Sequence, residues 1–121
     1  MAGEGDRGWM SGAGAGYVKE TYDATVALAL AAEAAGSLDG AAIRDRLRAV
    51  GGGPGVMVNA GPEGIADALR ILAEGGAIDY EGASGSMDWD ANGDLSRGHV
   101  GVWRFTGDER IEEVGAVPFE R

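Results

Sequence analysis

The chain contains no cysteine, which excludes a disulfide framework, a thiolate nucleophile and any cysteine-based zinc site, and leaves the redox compartment open. Histidine is almost as scarce: His99 is the only one, set beside a valine with no orienting carboxylate next to it in sequence, so an exposed or structural place suits it better than general base work. Basic residues are few, with 10 Lys and Arg against 20 Asp and Glu, a net charge of -10 and a pI near 4.4. That balance counts against nucleic acid or an anionic membrane as partner, since both reward a basic patch. No apolar run approaches the roughly 20 residues that a membrane helix needs, and the first 16 residues lack the continuous apolar region of a signal peptide.

Glycine is abundant instead. The 23 glycines in 121 residues exceed the usual share of about 7%, but they concentrate in the opening segment and between periodic stretches, which argues for one folded domain. Residues 1–16 show no period and read as a disordered Gly/Ala-rich lead-in. Gly3, Gly5 and Gly8 satisfy a dinucleotide-binding expression, yet no strand precedes them, so the match reads as chance.

Residues 17–121 carry the structure, organised around a helix from Tyr17 to Ala35 that ends on Gly36. Val18, Tyr22, Val26, Ala29 and Leu30 form one stripe, while Ala24, Ala27, Leu28, Ala31 and Ala32 make the other faces apolar too. A helix apolar all round requires enclosure on several sides. Asp39 suits the N-cap of a second helix over Gly40 to Val50, with Ile43, Leu47 and Val50 inward and Arg44, Asp45, Arg46 and Arg48 wet.

Gly51 to Gly61 reads as a loop with a short extended piece at Val56 to Val58. Pro62 opens a third helix with Ile65, Leu69 and Leu72 inward, stopped at Gly75-Gly76. Ile78 to Gly85 is expected to be loop, Ser86 to Trp89 a short strand, and Asp90 to Asp94 a turn. His99 to Thr106 is the clearest strand, with Val100 and Val102 on one face and Trp103 and Phe105 on the other, so both faces are expected to be covered, and a last strand is expected near Arg110 to Val117.

Catalytic signals are weak. Gly82-Ala83-Ser84-Gly85-Ser86 falls short of a nucleophile elbow, because it ends in serine and lacks a strand-to-helix setting. Asp88, Asp90 and Asn92 with Gly93 match the first half of a calcium loop. The twelfth position is His99 where a bidentate carboxylate is needed, which favours a β-turn in which Asp90 and Asn92 bond nearby backbone. Tyr22 and Asp23 are the candidate ligand contacts: a phenol able to touch a ligand and a carboxylate able to meet an ammonium group. Their competing reading is a packed tyrosine and an acid that complements a helix start. No catalytic residue, cofactor or metal is expected.

Taken together, Tyr22-Asp23-Ala24, Asp79-Tyr80-Glu81-Gly82-Ala83-Ser84-Gly85 and Asp88-Trp89-Asp90-Ala91-Asn92-Gly93-Asp94, in this order and spacing, resemble the C-terminal part of the type I periplasmic solute-binding proteins. The nearest branch resembles the leucine/isoleucine/valine-binding proteins of ABC transporters. The resemblance runs from Tyr17 to Phe119 and implies an α/β fold, here a partial Venus-flytrap of three helices followed by short strands. It also implies a periplasmic, non-enzymatic protein that closes by a hinge on an amino-acid-like ligand and delivers it to an ABC permease.

Members of that family are roughly three times as long, well beyond the usual size of one domain. The residues that hold the ligand's α-carboxylate and α-ammonium lie upstream of the part represented. The expectation is therefore a truncated segment with more apolar surface than it can cover, in which Leu28, Leu30, Trp103 and Phe105 are not all shielded. The alternative is an independent small α/β module that self-associates through its apolar helix.

Overall fold

The computed structural model describes residues 16–121. The lead-in and its glycine match lie outside the described residues, apart from Gly16. Among the described residues the chain is mixed α/β, with three helices and short strands in two small sheets.

Helix α1, Val18–Ala35, stops in a Schellman arrangement. Gly36 takes the left-handed conformation with φ 59°, its N–H donates to the Glu33 carbonyl, and the Ser37 N–H donates to that of Ala32. Asp39 caps helix α2, Gly40–Gly52, by accepting the Ala42 N–H at 3.1 Å, and α2 packs against α1. Strand β1, Val56–Asn59, leads into helix α3, Pro62–Ala73, which carries its proline in the first turn and returns the chain to strand β2, Ile78–Glu81. β1 and β2 pair in parallel, Val56 against Ile78 and Asn59 against Glu81, as a β-α-β unit. Strands β3, Arg97–Phe105, and β4, Ile111–Glu120, form an antiparallel hairpin with an irregularity between Val102 and Trp103.

One small core holds the helical body together. Ala27, Leu30 and Ala31 of α1 meet Val50 of α2, Val58, Ala68, Ile78 and Tyr80 of the β-α-β unit, and Met87. Gly51 is required there, because a Cβ would fall on the Trp89 ring and the Met87 carbonyl.

Several expectations need correction. Ile78 to Glu81 is not loop but a buried strand, since Ile78 and Tyr80 alternate inward against the helices while Asp79 and Glu81 face the other way. Its four-residue period is too short to stand out between glycines. Ser86 to Trp89 forms no strand and makes only single bridges, Ser86 to Glu81 and Trp89 to Leu95.

The inward stripe of α1 runs through Asp23, Ala27, Leu30 and Ala31, leaving Tyr22 and Leu28 partly outside. In α3 the buried residue is Ala68, with Ile71 and Leu72 beside it, whereas Leu69 is exposed. Ala68 is fully buried where α3 meets α1 and the two parallel strands.

The hairpin is the clearest departure from a closed core. Within its strands only Gly98 and Phe119 are even half-buried. Phe105 is 83% exposed, Val100 58% and Trp103 44%. Leu30 is fully buried while Leu28 is 52% exposed, so the described residues do leave apolar surface uncovered, as expected.

Candidate functional site

The site grows from one carboxylate. Asp23 lies one turn before Ala27 and two before Leu30 and Ala31, so helix geometry turns it to the same inward stripe, where it is completely buried. Burying a charge is costly unless its oxygens are satisfied. Four donors satisfy this one: the Tyr80 hydroxyl at 2.9 Å, the Ala83 N–H at 2.8 Å, the Ser84 N–H at 2.7 Å and the Ser84 hydroxyl at 2.5 Å. Two of those donors are successive backbone amides, the concave arrangement that elsewhere holds free anions. Here the anion is the protein's own side chain.

The receiving turn is built for that approach. Gly82 and Gly85 exchange backbone hydrogen bonds across Ala83 and Ser84, and Gly85 takes φ 125°. A Cβ on Gly82 would strike the Asp23 carboxylate, so glycine is needed at that position. Burial, and secondly the Asp23 acceptor, push the Tyr80 phenol well above the ordinary tyrosine range.

Above the turn opens a cleft of about 1010 Å³ between the helical body and the hairpin. Glu20, Asn59, Glu81 and the turn line one wall, and Arg97 to His99 with Pro118 to Glu120 line the other. Asn59 and Glu81 are the last residues of the parallel strands, and the crevice beyond the carboxyl ends of parallel strands is where open α/β folds bind ligands. The fold thus places a pocket where its topology makes one useful.

Among the proposed ligand contacts, Asp23 is engaged inside the protein and does not face the cleft. Tyr22 is 39% exposed, and its hydroxyl accepts the Gly61 N–H at 3.2 Å, which ties α1 to the start of α3.

The calcium-like oxygens are also occupied. The Asp88 carboxylate accepts from the Ser86 hydroxyl at 2.7 Å and pairs with Arg97 at 2.9 Å. Asp90 accepts the N–H groups of Asn92 at 2.8 Å and Asp94 at 3.0 Å, while Gly93 takes φ 89°. These bonds hold the Asp90 carboxyl below its usual range, the Asp94 amide first. Asn92 sits exposed at the turn. Among the described residues no three His, Asp or Glu side chains converge as metal ligands. His99 is exposed on the cleft wall, and Ser84 spends its proton on Asp23.

No local pattern in the sequence marks Asp23, Tyr80 and Ser84 as a unit, although Asp23 stands at helical spacing before Ala27, Leu30 and Ala31. An acid in that register is the signal that points to it. Comparison with known proteins found no family model, no curated protein and no solved structure that matches the chain.

Proposed function

We propose that this chain forms part of the substrate-binding component of an ABC importer for branched-chain or related amino acids. In this reading it contributes the end of one lobe and the hairpin that crosses to the other lobe of a type I solute-binding fold in the periplasm. The observation that carries the reading is spatial. The three segments of the family-like signature meet at one place: Asp23 binds the 80–84 turn, and Arg97 binds both Glu81 and Asp88. An apolar hairpin bare on both faces supports it, since such strands are stable only when further sheet covers them.

Calorimetric titration with leucine, isoleucine and valine tests the proposal. The chain by itself gives no heat, because the groups that would hold the ligand's α-carboxylate and α-ammonium belong to other parts of the fold. Adding it to a leucine-binding-type protein deleted for the equivalent segment restores the heat. Failure of that restoration with a soluble complex overturns the reading.

A second reading, a self-associating α/β module without transport function, is favoured by the exposed Leu28 of α1 taken together with the exposed Val100, Val102 and Phe105 of the hairpin. Sedimentation equilibrium separates the two. A stable dimer that unfolds cooperatively supports the module, and a monomer supports the importer component.

A further inference from the structure

The hairpin makes no extended packing contact with any of the three helices. Its attachment to the body lies at its root. The Ser96 N–H donates to the Asp88 carbonyl and the Arg121 N–H to that of Ser96, both at 2.8 Å. Directly beside them the Arg97 guanidinium reaches Glu81 at 3.0 Å and Asp88 at 2.9 Å.

Both carboxylates belong to the body: Glu81 ends a core strand, and Asp88 accepts from the Ser86 hydroxyl. They are also partly shielded, with side chains 23% and 29% exposed. Arg121 adds a looser pair to Asp94 at 3.2 Å.

We propose that Arg97 is an ionic latch that sets the angle of the hairpin to the body and so the width of the cleft. The planar fork spans two carboxylates at once, so it fixes a direction, where a single ammonium would fix only a distance. With the latch open, the hairpin turns about residues 95–97 and carries the His99 and Phe119 wall with it. The inference rests on the geometry of the root and does not depend on the transport reading.

The absence of cysteine permits a direct test. Ala66→Cys on α3 and Val114→Cys on β4, both exposed positions, carry nitroxide labels for electron-electron distance measurement. The unmodified latch gives one narrow distance distribution. Arg97→Gln and the pair Glu81→Gln with Asp88→Asn each give a broadened or displaced distribution, and Arg97→Lys a partial broadening.

Sodium chloride at about 1 M, which shortens the screening length to about 3 Å, moves the unsubstituted protein in the same direction. Circular dichroism confirms that the body stays folded. Should Arg97→Gln unfold, the salt response of the unsubstituted protein decides. A distribution unchanged by Arg97→Gln in a folded protein, or unchanged by salt, overturns the latch.

Discussion

The phenol of Tyr80 donates to the carboxylate of Asp23 at 2.9 Å across 57 residues of chain, and both side chains are fully buried. This pair joins the first helix to the end of the second strand and fixes the turn that floors the cleft.

Replacing the acid tests how much the fold depends on that junction. Asp23→Ala leaves the buried Tyr80 hydroxyl and the turn amides without their acceptor, and is expected to cost about 2 to 4 kcal/mol, since a buried donor left unsatisfied costs about 1 to 3 kcal/mol. Asp23→Asn presents an amide to four donors and falls between, while Ser84→Ala removes one hydroxyl and costs about 1 kcal/mol. Urea midpoints of the three variants give the order directly.

Alkaline pH tests the same pair from the other side. The Tyr80 pKa is raised on folding, so its contribution is fully present below the unfolded value of about 10 and is lost as pH climbs above it toward the folded value. Absorbance titration at alkaline pH should show a tyrosinate component that appears only together with loss of the far-ultraviolet helix signal. Ionisation of Tyr80 in a chain that remains folded would contradict the burial described.

Glycine 82 offers a steric test. Gly82→Ala drives a methyl group into the Asp23 carboxylate and is expected to cost about 1 to 3 kcal/mol, as overpacking does. Gly107→Ala, at a turn with open space around it, should leave the urea midpoint near its original value.

Acid pH addresses the 90–94 turn. The Asp90 pKa is lowered by the amides it accepts, so its support is present above the ordinary carboxylate value of about 3.9 and is lost as pH falls through the lower folded value. Amide exchange at Asn92 and Asp94 should quicken over that acid range, and Asp90→Ala should quicken it already at neutral pH. The same exchange rates before and after substitution would remove Asp90 as the organiser of the turn.

The hairpin should be energetically separable from the core. Phe105→Ser removes a ring that is 83% exposed and is expected to change stability by less than about 0.5 kcal/mol, while lowering the fluorescence of a bound apolar dye. A large drop in the urea midpoint would show that the ring is covered in solution.

Much of the local structure was legible in the residues. The Gly36 stop, the Asp39 cap, the proline opening α3 and the wet face of Arg44, Asp45, Arg46 and Arg48 all act within one helical turn. Backbone sterics and nearby hydrogen bonds decide such features wherever the helix ends up. The sequence by itself therefore determined the helix ends, the hairpin and the surplus of apolar surface.

The tertiary structure alone decided which face of α1 turns inward, because its Ala and Leu residues make several faces almost equally apolar. The choice fell on the face bearing Asp23, where four donors from the other end of the fold compensate its charge. It also decided that Ile78 to Glu81 is a strand, since a parallel strand acquires its hydrogen bonds only from a partner, here Val56 to Asn59, that the chain brings alongside through α3. Neither outcome is encoded in a short window, because both depend on groups that become neighbours only after the chain has folded.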